Sequence, residues 1–153
     1  HDHWWFQGRA RIVSALVERF QPQGTPGEDR GLRLCDVGCG TGANLRMLAR
    51  FGQVWGVEPC ADALELAWQV EDATVYPGGL PDDLPFTHER FDVLTLTDVL
   101  EHVERDQESV ERCAAVSEGR SYEIERSCGY ARCRTFDSAP SLPPTSQCCA
   151  KRE

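Results

Sequence analysis

Basic charge is scarce in this chain of 153 residues. Sixteen lysines and arginines face 25 acids, leaving a net charge of −9 at pH 7, and Lys151 is the only lysine. An acidic surface repels phosphate backbones, so no nucleic-acid partner is expected from bulk electrostatics. Long apolar runs are missing as well. Val13 and Ala15–Val17 are typical of the longest, far below the roughly 18 residues of a membrane span, so no transmembrane segment is expected. The start lacks a basic region followed by an apolar one, so no export signal is read and a cytoplasmic location is expected. The first residue is His1 rather than Met, so a missing N-terminus is expected.

A zinc pattern of two matching cysteine pairs is also lacking, although the chain holds eight cysteines. Cys35 and Cys39 sit in or beside a strand-like segment, Cys128 and Cys133 are five apart, and Cys148 and Cys149 are adjacent. None of these makes a matched metal-binding pair, and without an export signal free thiols are expected. What is present, 41% apolar and 27% charged residues, excludes disorder throughout and fits one globular domain. Nothing in the composition sets an oligomeric state.

Alternating periodicities organise residues 1–116. Residues 2–20 read as a helix (domain bounds 1–22), with Ile12, Leu16 and Phe20 on one stripe and Val13 and Val17 beside it. Residues 21–30, with two Pro, two Gly and charge, read as a linker. From residue 31 to 116 the pattern alternates strands and helices: strand Leu32–Val37, helix Ala43–Phe51 with Gly52 at its C′ position, strand Gln53–Glu58 and helix Asp62–Val70. Then come the short strand Thr74–Tyr76, the strand Phe91–Thr97, and a helix capped by Asp106 with Val110, Cys113 and Ala114 inward. Such alternation predicts an α/β, doubly wound, mostly parallel sheet with right-handed crossovers. Residues 117–153 differ. They carry six basic and five acidic residues, half of the cysteines and no apolar run beyond two or three. No fixed structure is expected there, apart from one possible short strand at Tyr122–Glu125.

The central feature is Leu34-Cys35-Asp36-Val37-Gly38-Cys39-Gly40-Thr41-Gly42, a strand that runs into three alternating glycines and then a helix. Glycine allows positive φ and lets a ligand approach the backbone. The turn stands at the carboxyl end of a strand, where open α/β sheets bind ligands, and the helix start offers free N–H groups. Twenty residues after Gly38 the next strand ends at Glu58, whose carboxylate can accept from the two vicinal hydroxyls of a ribose. The spacing G-x-G-x-G differs from the G-x-G-x-x-G of dinucleotide sites. Asp36, two residues before Gly38, disfavours a pyrophosphate and favours a cationic or ammonium-bearing ligand.

With these residues the chain resembles the class I S-adenosylmethionine-dependent methyltransferases of the bacterial small-molecule type. LCDVGCGTGANL is similar to the family's first motif and WGVEP to its second. LPDDLPF with FDVLTLTDVLEHV resembles the segment carrying the third strand's loop and the fourth strand, and HWWFQGRARIV resembles the start of many members. The resemblance implies a Rossmann-like fold with strand order 3-2-1-4-5-7-6, of which only four strands are placed, so the sheet is expected to be incomplete on its C-terminal side and truncated after the fourth strand. It also implies S-adenosylmethionine as cofactor. Asp36 and the backbone of Gly38, Cys39, Gly40 and Gly42 would hold its methionine part, Glu58 its ribose, and the segment from Leu80 to Asp83 would lie by the adenine. Many members have an acid where this chain has Leu80, so only backbone or apolar contact is expected there. Asp98 would border cofactor and acceptor.

The remaining candidates are weaker. His102 and Asp98 are the candidates for a base, although a histidine at 102 also suits a loop-orienting role. Glu101 and Glu104 read as solvated charges, and Asp82 and Asp83 as a solvated pair beside Pro81 and Pro85. His1, Asp2 and His3 read as a terminus rather than a metal site, and Trp4, Trp5 and Phe6 as packing residues. The expected function is methyl transfer to a small-molecule acceptor. The alternatives are a fragment that binds cofactor without turnover, and an NAD-dependent oxidoreductase, against which the glycine spacing and Asp36 both argue. Asp36→Ala or Gly40→Val is expected to abolish cofactor binding by calorimetry while circular dichroism shows helix content largely kept. Unchanged affinity in both variants would overturn the site.

Overall fold

A computed structural model describes residues 4–20, 31–117, 120–127 and 130–137. Helix α1 (Trp4–Phe20) precedes strand β1 (Leu32–Val37), helix α2 (Leu45–Leu48), strand β2 (Gly52–Glu58), helix α3 (Ala61–Ala67) and strand β3 (Ala73–Pro77). Strand β4 (Val93–Thr95), a 3₁₀ turn (Leu100–His102) and helix α4 (Asp106–Ala115) follow, and then strands β5 (Arg120–Ser127) and β6 (Tyr130–Asp137). The first four strands form one sheet in the order β3-β2-β1-β4. All its pairings are parallel, with Val37 opposite Val57 and Asp36 opposite Thr95. The chain therefore has the expected α/β doubly wound arrangement, with strands 3, 2, 1 and 4 in place.

Period-2 alternation splits the core into two layers. Leu34, Val54 and Val93 face one side, where they meet Val13 and Val17 of α1, Leu45 and Leu48 of α2, and Ala67. Cys35, Val37, Val57 and Leu94 face the other, with Phe91, Leu84, Phe86, Val110 and Cys113. A parallel sheet needs cover on both faces, and the apolar runs of β1 and β4 supply the residues for it.

Several elements differ from the sequence pattern. Val13 and Val17 are the buried residues of α1, whereas Ile12 is exposed, so the inward stripe is turned by one position. The helix expected over Ala43–Phe51 is regular only over Leu45–Leu48. The side chain of Asn44 is engaged elsewhere at its start, and i→i+3 bonds from Arg50 to Met47 and from Phe51 to Leu48 tighten its end. Gly52 begins β2 rather than closing that helix. The strand expected over Phe91–Thr97 keeps ladder geometry only at Val93–Thr95. Before it, Phe91 N–H bonds Val116 O, and the Asp92 carboxylate accepts the Arg33 N–H at 2.8 Å. Arg105, not Asp106, occupies the cap position of α4.

Beyond α4 the chain forms an antiparallel hairpin, with Arg120 opposite Asp137 and Ser127 opposite Tyr130. This is more strand than the short Tyr122–Glu125 segment suggests. Strand β5 packs beside β4, but the hairpin forms a separate two-stranded sheet.

Phe91 is fully buried and meets Trp55 and Phe86 edge to face, with centroids 5.4 and 4.8 Å apart. Phe91→Ala is expected to lower unfolding free energy by about 3–5 kcal/mol, read as a lower urea midpoint with unchanged slope. A loss below about 1 kcal/mol would contradict this account of the core.

Candidate functional site

The parallel register brings the ends of β1 and β2 level, and the turn after β1 is tied to β2. Both Gly38 and Cys39 N–H groups donate to Val57 O, at 2.8 and 3.0 Å. Gly38, Gly40 and Gly42 all have positive φ, at 77°, 56° and 83°, and they serve two purposes. A Cβ on Gly38 would stand 2.4 Å from Val99 Cγ2, and one on Gly42 would stand 2.9 Å from Val70 Cγ2, so these two admit close packing. A Cβ on Gly40 would meet nothing within 4 Å. Its backbone faces open space.

Glu58 closes one side of that space. It is buried, its Oε2 accepts the Gly40 N–H at 2.8 Å, and its Oε1 accepts the Cys60 N–H at 3.0 Å. A carboxylate has about four acceptor positions, so capacity remains for two further donors such as vicinal hydroxyls. The spacing argument located Glu58; the structure adds that it also braces the glycine turn.

Asp36 lies beneath the turn, fully buried. Its Oδ1 accepts from Thr95 Oγ1 at 2.6 Å and its Oδ2 from Asn44 Nδ2 at 3.5 Å, while Asn44 also donates to Thr97 Oγ1 at 2.9 Å. Burial pushes the Asp36 carboxyl up to about 6, against the hydrogen bonds of Thr95 and Asn44 and the positive charge of Arg9. Asp36 thus joins β1, β4 and the start of α2. The Cys39 thiol is pushed up to about 12 by burial, then by Asp36 and Glu58, and its side chain packs with Leu34, Leu45 and Val54. Cys35, Cys39, Cys60 and Cys113 are in no disulfide, and the side chains of the other four cysteines lie outside the described residues.

Asp98 follows β4 with φ 58°. Arg9 Nη1 of α1 donates to its Oδ2 at 2.5 Å, with side-chain exposures of 14% and 34%. The N-terminal helix is thereby fastened to the end of β4, beside the turn. Leu80 is partly buried in the loop after β3 and packs on the core. His102 is exposed in the 3₁₀ turn, and no described group hydrogen-bonds its imidazole. Glu101 and Glu104 are exposed. So are Asp82 and Asp83, but Asp82 accepts an ion pair from Arg105.

The structure brings Asp36, the three glycines, Cys39, Glu58 and Asp98 to one end of the sheet. Arg9, Asn44, Thr95 and Thr97 belong with them and were not singled out by motif. His1, Asp2 and His3, the linker 21–30, and the side chains of Trp4, Trp5 and Phe6 lie outside the described residues. Among the described residues no cluster of His, Cys, Asp and Glu could hold a metal, and no helix is long and apolar enough to cross a membrane. An open groove of about 410 Å³ lined by Arg46, Arg50, Gln53 and Asp72 lies at the other end of the sheet, where β2 begins, and contains none of these groups.

Known proteins share this fold. Residues 35–120 match the family described as "Methyltransferase domain". A mitochondrial ubiquinone biosynthesis O-methyltransferase from Candida albicans is 37% identical over 86 residues, which are 50% of this chain and 26% of that protein. The corresponding enzyme of Nitrobacter winogradskyi is 37% identical over 91 residues, 56% of this chain and 34% of that protein. The chain thus spans about a quarter to a third of the length of these relatives. Among solved structures, a SAM-bound amino pentose methyltransferase from Micromonospora echinaspora superposes with a TM-score of 0.64 at 23% identity, covering 78% of this chain and 50% of that one. The YcgJ protein of Bacillus subtilis gives 0.59 at 21% identity, covering 75% and 50%. At these identities the likeness shows the fold.

The position of Asp36 has a measurable consequence. A carboxyl raised from 3.8 to about 6 by folding binds its proton more tightly in the native state. Its contribution to stability is therefore fully present below about pH 4 and is lost as pH rises through 6. Asp36→Asn removes that titration. Urea unfolding between pH 4 and 7 is expected to show wild type losing up to about 3 kcal/mol relative to the variant. Parallel stability curves would contradict the burial of a charged Asp36.

Proposed function

The chain belongs to the methyltransferase domain family, and from that premise we propose that it binds S-adenosylmethionine at the turn after β1 and serves methyl transfer to a small-molecule acceptor. The observation that carries this reading is the pairing of an open-faced Gly40 with the Glu58 carboxylate, which holds the Gly40 N–H and keeps acceptor capacity toward the same space. The residues fit a nucleoside with a cationic sulfur. Asp36 and Glu58 bring negative charge around the turn, while Asp98 is paired with Arg9, and such a field favours a sulfonium or ammonium group over a pyrophosphate. This argues against a nicotinamide dinucleotide.

The roles follow from the placement. The backbone of Gly38, Cys39, Gly40 and Gly42 would hold the methionine part, with Asp36 acting from beneath through its field, because its carboxylate is buried and already bonded. Glu58 would take the ribose hydroxyls, and the Leu80 segment would lie by the base. Asp98 would border cofactor and acceptor. When bound, the cofactor supplies an activated sulfonium methyl, so the chain's own task is to align the acceptor and exclude water.

The relatives are named O-methyltransferases, which supports a hydroxyl acceptor for this chain. A hydroxyl needs a proton acceptor. His102, exposed just after β4, is the base we favour over Asp98, which is engaged by Arg9.

Calorimetry tests the proposal. S-adenosylmethionine and S-adenosylhomocysteine are expected to bind and NAD is not, and Glu58→Ala is expected to weaken binding at least tenfold through lost charge-assisted hydrogen bonds. Binding of NAD in preference to S-adenosylhomocysteine would overturn the cofactor reading. Methyl release with a panel of small hydroxyl-bearing acceptors separates turnover from binding alone.

A further inference from the structure

The loop joining β3 to β4 borders the proposed nucleoside subsite. It begins firmly. Gly78 N–H donates to Glu58 O at 3.2 Å, and a Cβ on Gly79 would stand 3.4 Å from Pro59 Cβ, so the loop's first residues lie against the proposed ribose acid. Gly79 and Asp83 exchange two backbone hydrogen bonds of 2.9 and 3.0 Å, closing a small ring that carries Leu80. Beyond Asp83 the next backbone bonds of this segment to other elements, among the described residues, are those of Phe91 N–H to Val116 O and Asp92 N–H to Arg33 O, just before β4. Leu84 and Phe86 anchor it by burying their side chains, which leaves the carbonyls of these core residues in need of donors.

Helix α4 supplies them. Arg112 Nη2 donates to Phe86 O at 3.1 Å and lies 3.5 Å from Leu84 O. Arg112 is half-buried, so these charge-assisted bonds are only partly screened. The other tie from this helix, Arg105 to Asp82, joins two exposed side chains and is expected to contribute little.

We infer that Arg112 is a positioning residue of the nucleoside subsite, holding through the Leu84 and Phe86 carbonyls the loop that packs Gly78–Leu80 against Glu58. The inference rests on the cofactor reading above. Arg112 touches no ligand in this scheme. It acts through the loop, and its effect falls on the nucleoside half of the cofactor, not on the methionine half.

Calorimetric titration of S-adenosylhomocysteine and of adenosine into wild type, Arg112→Met, Arg112→Lys and Arg105→Met tests it, at a temperature where thermal melts show every variant folded. Arg112→Met keeps the apolar stem and loses the donors. It is expected to weaken both ligands by a similar factor of about ten. Arg112→Lys keeps charge without the planar fork and recovers part of the loss, and Arg105→Met stays within about twofold. Adenosine affinity unchanged in Arg112→Met, or a loss confined to S-adenosylhomocysteine, overturns the inference while leaving the cofactor reading intact. If Arg112→Met does not fold, unchanged adenosine affinity in Arg112→Lys overturns it in the same way. A wild type that binds neither ligand overturns the cofactor reading itself.

Discussion

The carboxylate of Glu58 binds the N–H of Gly40 on one side and the N–H of Cys60 on the other. It thereby joins the turn after β1 to the start of α3 across the end of β2. The rest of the site depends on this bridge. A turn of three glycines is the most permissive backbone a chain can build, and without an external tie it would sample many shapes. Val57 O holds its first two N–H groups, and Glu58 holds the third point. Hydrogen bonds to a charged acceptor contribute roughly 1.5–3 kcal/mol each, enough to select one shape of the turn. The same carboxylate retains acceptor positions toward the space above Gly40, so the group that shapes the cradle also faces what the cradle would hold.

Beneath the turn a polar lattice fixes the strand ends. Asp36, Thr95, Asn44 and Thr97 connect β1, the entry to α2 and β4 by side-chain hydrogen bonds in a buried setting, where an unpaired member would be costly. Burying a carboxylate here opposes folding above pH 6, and the lattice partly offsets that cost. The result is fixed negative charge under a backbone cradle. Arg9 adds a second layer by tying α1 to Asp98, so an element that precedes the sheet in sequence borders the site at its carboxyl end.

Much of this was legible from residue order because it is local. The alternation of apolar runs predicts the parallel sheet, the family resemblance implies its strand order, the glycines mark the turn, and a strand-terminal acid twenty residues on marks Glu58. The features that were not legible depend on residues far apart in the chain. Arg9 and Asp98 are separated by 89 positions, and nothing around either names the other. Thr95 and Thr97 read as β-branched strand formers, and only the pairing of β4 with β1 turns their hydroxyls toward Asp36 and Asn44. The inward face of α1 depends on which tertiary surface it meets: of the apolar stripe and its neighbours, Val13 and Val17 are buried and Ile12 lies outside. The shortness of α2 and β4 likewise reflects side-chain bonds of Asn44 and Asp92 that periodicity cannot register.

A crystal structure of the chain with S-adenosylhomocysteine is the most direct test of the central claim. The account predicts the ligand at the end of β1 and β2, its ribose hydroxyls on the Glu58 carboxylate and its amino-acid part along the Gly38–Gly42 backbone. Ligand density elsewhere on the molecule, or at the turn with Glu58 bonded only to Gly40 and Cys60, would contradict it.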